Sequence, residues 1–151
     1  MKLNKSTRYA LYAALEMAQA EDDAQVTVAQ VAGRYGVPEA ALAKVFQRLV
    51  RSGIATGTRG VGGGYRLAKE PSKVTVLDVV SAFEPPRPLR QCLIQDRPEP
   101  CANLPTCRLK RLFDEVDENT RSTFASVTLD TLAGKRGLLP VPASGPGRKA
   151  G

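Results

Sequence analysis

Apolar side chains return every three or four positions in five separate stretches of this chain, and one glycine-rich stretch interrupts them. Between residues 6 and 20 the stripe is Ala10, Leu11, Ala14, Leu15 and Ala18, which predicts a helix with Ser6 or Thr7 as its cap. Thr27 followed by Gln30 has the spacing of a capping box, so a second helix is expected to open there, in which Val28, Val31, Ala32 and Tyr35 repeat at helical spacing. Gly36-Val37-Pro38 then stops one helix and starts another, because glycine tolerates a left-handed backbone and proline suits a first helical turn. The third helix, about Pro38 to Ser52, carries Leu42, Val45, Phe46, Leu49 and Val50 on one face. Ala40, Lys44, Gln47, Arg48 and Arg51 fall on the other.

Gly53 ends that helix. Ile54 to Thr58 and Tyr65 to Leu67 read as two short strands around Arg59-Gly60-Val61-Gly62-Gly63-Gly64. After a loop from Lys69 to Lys73, Thr75 caps a helix lined by Val76, Val79, Val80 and Phe83, which Pro85 and Pro86 terminate. Residues 84 to 106 contain six prolines and form no regular pattern, yet they carry Cys92 and Cys101, and Cys107 follows at the start of the next helix. In that helix Leu109, Phe113, Val116, Thr120, Thr123 and Val127 recur at alternating four- and three-residue steps, with Leu112 and Phe124 alongside. Such a stripe packs either on a second copy of itself or back on its own chain, and its two threonines argue against a long supercoil. Thr128 caps a short final helix through Leu132, and Gly134 to Gly151 reads as a flexible basic tail.

Helix, tight turn, basic second helix and glycine-tipped hairpin, in that order, form the pattern of a winged helix-turn-helix. A duplex-binding function follows: the helix from Pro38 reads major-groove edges while Arg59, at the base of the hairpin tip, enters the negative potential of a minor groove. A phosphate-cradling nucleotide loop is disfavoured, since there the glycines must open a helix after a strand and here a strand follows them. An ordinary solvated surface would explain a basic helix face alone, but not the hairpin beside it.

Charge supports the same reading. The chain of 151 residues has a formal net charge of +7, and residues 1 to 75 hold 11 Lys/Arg against 6 Asp/Glu, whereas residues 76 to 151 hold 11 against 9. The excess sits with the helix-turn-helix, as polyanion binding requires. Lys2, Lys5, the run Tyr9 to Leu15 and Ala18-Gln19-Ala20 imitate a signal peptide, but Arg8 and Glu16 crowd that run, and an amphipathic helix explains it. No stretch is long enough to span a bilayer. Three cysteines, an odd number, argue against a disulfide framework, and the cytoplasm is the expected compartment. Histidine is absent and the carboxylates are scattered over caps and solvent faces, so no nucleophile and base are set up for catalysis.

Met1-Lys2-Leu3, Arg8-Tyr9-Ala10, Gly60-Val61-Gly62-Gly63-Gly64-Tyr65 after Arg59, Thr75 to Phe83, and three cysteines before a long helix together resemble the Rrf-type family of bacterial winged-helix transcription regulators, the IscR, NsrR and CymR relatives. The likeness runs from residue 1 to about 133. It implies a mainly α fold: a winged helix-turn-helix with a small β-hairpin wing and a long C-terminal dimerisation helix. Four segments follow: a DNA-binding domain over 1–83, a cysteine-bearing sensor loop over 84–106, the dimerisation and cap helices over 107–133, and a tail over 134–151. The resemblance further implies a homodimer on a partly palindromic operator in double-stranded DNA. Arg59, Lys44, Gln47, Arg48 and Arg51 are the expected contacts, with Ala40 on the same helix face and Gly62 and Gly63 at the wing tip.

Many members hold an iron–sulfur cluster on three cysteines, which implies Cys92, Cys101 and Cys107 as soft thiolate ligands of a two-iron or four-iron cluster. The two gaps, eight and five residues, are longer and less equal than the family pattern. The usual fourth ligand is missing: Lys110 stands where a histidine is found in some members, and Arg8 where others take a carboxylate from the partner's first helix. Asp96, Glu99, Asn103, Asp114 or an exogenous thiol could complete the site. A redox-labile cluster controlling a repressor is the leading expectation. Thiol oxidation or a protein partner without a cluster, structural zinc or inert thiols, and, more remotely, an iron–sulfur enzyme or electron carrier, are the alternatives.

Overall fold

The computed structural model describes residues 3–85 and 104–134; Cys92, Cys101, Asp96, Glu99, Asn103 and the expected tail beyond Gly134 lie outside the described residues. Six α-helices and a two-stranded hairpin run in the order α1 (Lys5–Gln19), α2 (Val28–Tyr35), α3 (Glu39–Arg51), β1 (Ala55–Thr58), β2 (Gly64–Leu67), α4 (Val76–Phe83), α5 (Arg108–Ser126) and α6 (Leu129–Leu132), with 3-10 turns at Pro71–Lys73 and Leu104–Thr106. The fold is the mainly helical winged helix-turn-helix expected, with a long C-terminal helix.

α1 is the hub, packing on α2, α3, α4, α6 and β2. Its buried side is Thr7, Ala10, Ala13, Ala14, Met17 and Ala18. Leu11 and Leu15, expected in the stripe, are only half-buried, because several elements converge on the alanine side and small residues let the backbones approach. The cap is likewise one turn earlier than expected. Asn4, not Ser6 or Thr7, accepts from Thr7 N at 2.8 Å, while the buried Thr7 hydroxyl donates to Glu84 Oε1 at 2.5 Å. Asn4 N donates to the same oxygen at 2.8 Å, so the start of α1 is pinned to the end of α4.

Both capping boxes form. Thr27 Oγ1 accepts from Gln30 N while Thr27 N donates to Gln30 Oε1, and Thr75 and Asp78 do the same at the start of α4. Pro38 is the N-cap of α3 rather than its first residue. Gly53, at φ 72°, closes α3 with its N–H on Val50 O and that of Ile54 on Leu49 O. β1 and β2 pair antiparallel from Ala55–Leu67 to Thr58–Gly64, and Val26 adds a third edge through two hydrogen bonds with Tyr65. The main core gathers Val31, Leu42, Phe46, Leu49, Val79 and Leu129 around the alanines of α1.

α5 has no buried residue. Its C-terminal end does turn back on the chain: Val127 and Phe124 join Val76 and Val80 in a second cluster, and Val76 N donates to Val127 O at 2.8 Å. The first turns do not. Leu109 is 62% exposed, Leu112 52%, Phe113 49% and Val116 49%. Thr120 and Thr123 bond their hydroxyls to the carbonyls of Val116 and Asn119, which removes their polarity from the stripe. Among the described residues no helix is long and apolar enough to cross a membrane.

Tyr35 joins α2 to α1: its hydroxyl donates to Glu16 Oε1 at 2.6 Å and its ring stacks on Tyr12 at 4.4 Å, while Arg34 pairs with the other Glu16 oxygen. Burial first, then the bond to Glu16, pushes the phenol up to about 12. A neutral phenol favoured by folding contributes fully below its unfolded value near 10, and that contribution is lost as pH rises through about 12. Denaturant titration should therefore show stability falling across that window. Tyr35→Phe should flatten the fall and cost about 1–2 kcal/mol at neutral pH; an unchanged alkaline slope would remove Tyr35 from the account.

Candidate nucleic-acid interface

Within α3 the residues that do not face the core divide into two directions. Ala40, Lys44, Gln47 and Arg51 are exposed and follow one another at four-, three- and four-residue steps, so they share one face. Arg48 leaves that face. Its Nε donates to Ala82 O at 2.8 Å and its guanidinium lies 5.0 Å from the centre of the Phe83 ring, which turns it onto α4. The structure thus brings four of the five expected helix residues to one face and holds the fifth to one side.

The hairpin stands next to that face. Gln47, Val50 and Arg51 form one wall of an open cleft of about 480 Å³, and Gly57, Thr58, Arg59 and Tyr65 form the other. Arg59 is exposed just past the end of β1, followed by Gly60 at φ 102° and Gly62 at φ 77°. Gly63 has a steric reason to be glycine: a Cβ there would sit 2.3 Å from Thr58 O and 2.8 Å from Gly60 O. Arg51 and Arg59 stand on opposite walls of the cleft and no carboxylate lines it, so the cleft is cationic.

Four cleft residues, Val50, Gly57, Thr58 and Tyr65, are not among the contacts expected from the sequence. Val50 was assigned to the buried face, but it is 38% exposed, because it lies at the edge of the apolar stripe where α3 turns toward the hairpin. Tyr65 looked like an ordinary strand residue; its ring stacks on Phe46 at 4.5 Å and floors the cleft. Thr58 is held by Gln25, whose Nε2 donates to Thr58 Oγ1 at 3.2 Å. Only the missing side chain at Gly57, opposite Tyr65 in the register, hinted at that packing.

Cys107 does not line this cleft. Cys107, half-buried, is the N-cap of α5, and its Sγ accepts from Lys110 N at 3.5 Å. Lys110 Nζ pairs with the Asp114 carboxylate, so one of the carboxylates considered as a fourth ligand is already engaged. Arg8 is exposed on α1. Among the described residues no three His, Cys, Asp or Glu side chains cluster as a metal site.

The whole described chain has known counterparts. A model of the family Rrf2, described as "Iron-dependent Transcriptional regulator", matches residues 3–135. The HTH-type transcriptional regulator BadM of Rhodopseudomonas palustris is 38% identical over 133 residues, 87% of this chain and 81% of that protein. The HTH-type transcriptional regulator IscR of Yersinia enterocolitica is 30% identical over 141 residues, 93% and 84% of the two chains. Among solved structures, CymR (YrzC), titled the global cysteine regulator of B. subtilis, superposes with a TM-score of 0.72 at 23% identity, covering 89% of this chain and 98% of that one. T. potens IscR gives 0.70 at 24%, covering 89% and 88%. The two structures share the fold; the curated relatives are transcriptional regulators, not enzymes.

The two directions of α3 can be separated by substitution. Arg48→Ala should destabilise by about 1 kcal/mol, since it leaves the Ala82 carbonyl without its charged donor, and should change duplex affinity by less than about twofold. Arg51→Ala should do the reverse, measured by denaturation and by fluorescence anisotropy on labelled duplex.

Proposed function

The chain belongs to the Rrf2 family of helix-turn-helix transcriptional regulators, and we propose that it is a homodimeric, cytoplasmic repressor whose operator affinity is set by an iron–sulfur cluster on Cys92, Cys101 and Cys107. The observation that carries the DNA part is the cleft between the exposed face of α3 and the Arg59 hairpin. Adjacent major and minor grooves are separated by one sugar-phosphate strand. A helix in the first and a hairpin in the second must therefore straddle that strand, and a cationic cleft flanked by Gln47, Arg51, Thr58 and Arg59 suits it. Ala40, Lys44 and Gln47 then face base edges, Arg59 with Gly62 and Gly63 follows the minor groove, and Arg48 serves mainly to hold α3 on α4. Residues 1–83 act as the reading head, 84–106 as the sensor loop, 107–133 as the dimerisation segment and 134–151 as a tail.

Dimerisation rests on α5. Four large apolar side chains stand half-exposed or more on its first turns, a patch that a soluble monomer seldom leaves uncovered and that a second copy would bury. Palindromic half-sites follow from that symmetry.

For the cluster, the chain's donor set fits in kind: three cysteines and no histidine supply three soft ligands. Cys107 is presented at the first turn of a helix with a backbone N–H directed at its sulfur, an interaction that tunes sulfur-ligated iron. A cluster bound there would supply one-electron chemistry and lability toward small oxidants. A second reading, control by oxidation of the thiols without a cluster, is favoured by Arg108 next to Cys107 in sequence.

Two measurements test these statements. Arg59→Ala should weaken binding to a selected operator by roughly tenfold, and wild-type affinity should fall steeply with salt, as phosphate contacts demand; binding that is blind to both sequence and salt would end the regulator reading. Anaerobic purification should give a coloured protein whose colour is lost in Cys107→Ala. A colourless wild-type protein with full operator affinity would replace the cluster with the thiol reading.

A further inference from the structure

The apex of the hairpin carries an apolar side chain that neither the core nor the cleft uses. Val61 is fully exposed and touches nothing. The backbone holds it there: Gly63 N donates to Gly60 O at 3.0 Å, closing a turn in which Val61 is the second residue and Gly62, at φ 77°, the third. A Cβ at Gly60 or Gly62 would meet no atom within 4 Å, so the loop is thin on both sides of the valine. Arg59 stands at the base of the loop and residues 54–69 contain no carboxylate, while Arg66, farther along β2, pairs with Asp23 at 3.4 Å. A slim cationic loop with one β-branched apolar side chain at its tip matches a groove about 6 Å wide.

On the DNA-straddling function stated above, we infer that Val61 is a specificity-determining residue that recognises A·T pairs in the minor groove by the absence of the guanine amino group. The floor of the groove at an A·T pair offers only acceptors, whereas G·C adds the N2 amino donor. Valine has no acceptor for that donor, and its methyl groups would strip the amino group of water, leaving it unsatisfied. Arg59 responds to groove width and potential.

Base analogues isolate this contact. In a selected operator, adenine is replaced one pair at a time by 2,6-diaminopurine, which adds the minor-groove amino group and leaves the major-groove face unchanged. At the pairs under the wing, the wild-type protein should lose roughly tenfold in affinity, and replacing guanine by inosine in G·C-substituted operators should restore it. Val61→Gly should shrink the diaminopurine penalty below about twofold, and Val61→Asn, which brings an acceptor, should shrink it as well. Arg59→Ala should bind more weakly yet keep the penalty. A penalty that survives in Val61→Gly, or no penalty in the wild type, overturns the inference while leaving DNA binding intact. A wild-type protein that selects no operator sequence overturns both.

Discussion

The contact on which the interface depends is the stack of Phe46 on Tyr65. Phe46 belongs to α3 and is fully buried; Tyr65 belongs to β2, and its main chain exchanges two hydrogen bonds with Val26, just ahead of the α2 capping box. One aromatic pair therefore fixes the reading helix, the hairpin and the entry to the first helix of the helix-turn-helix at a single junction. Glycines allow this closeness. At Gly64 a Cβ would sit 2.7 Å from Val26 O, and at Gly57 it would press on the Tyr65 ring at 3.1 Å. Aromatic stacking adds only about 0.5–1.5 kcal/mol beyond burial. Its larger consequence is geometric, since it holds the two walls of the cleft at a fixed spacing.

Behind that junction α1 acts as the common support. Its alanine side lets α3 and α4 lie close, and its two ends are tied by polar contacts: Glu84 holds Asn4 and Thr7 at one, while Glu16 holds Tyr35 and Arg34 at the other. Glu84 is also the residue at which α4 ends, next to the proline-rich segment that carries two of the cysteines. The first turn of the hub helix thus shares a carboxylate with the C-terminal end of α4.

How far the sequence disclosed this depends on the range of each interaction. Capping boxes, glycine stops and the turn of the hairpin are decided by residues within five positions of one another, and Thr27, Gln30, Gly36, Gly53 and Thr75 all behave as local chemistry predicts. What depended on distant partners was misread or invisible. Val50 has the periodicity of a core residue and sits in the cleft, because the hairpin, not the core, lies on its side of α3. Arg48 has the periodicity of a groove residue and is drawn onto Phe83 and the Ala82 carbonyl, thirty-four positions away. Asn4 displaced Ser6 and Thr7 as cap because Glu84 claims the Thr7 hydroxyl, seventy-seven positions on.

The same distinction bears on the unresolved coordination at Cys107. By resemblance, the histidine that completes such a site in some relatives stands where this chain has Lys110. Here the Lys110 backbone N–H already serves the Cys107 sulfur and its side chain serves Asp114. A lysine offers donors and no acceptor in that form, so it cannot substitute for an imidazole at iron. Asp114 is likewise held by its neighbour one turn back. The Lys110 side chain thus adds no ligand to the Cys107 sulfur. On the cluster reading, the remaining position would be filled by Asp114 once released from Lys110, from the segment before Leu104, from the partner subunit or from an exogenous thiol, and the incomplete shell is then itself a reason for lability.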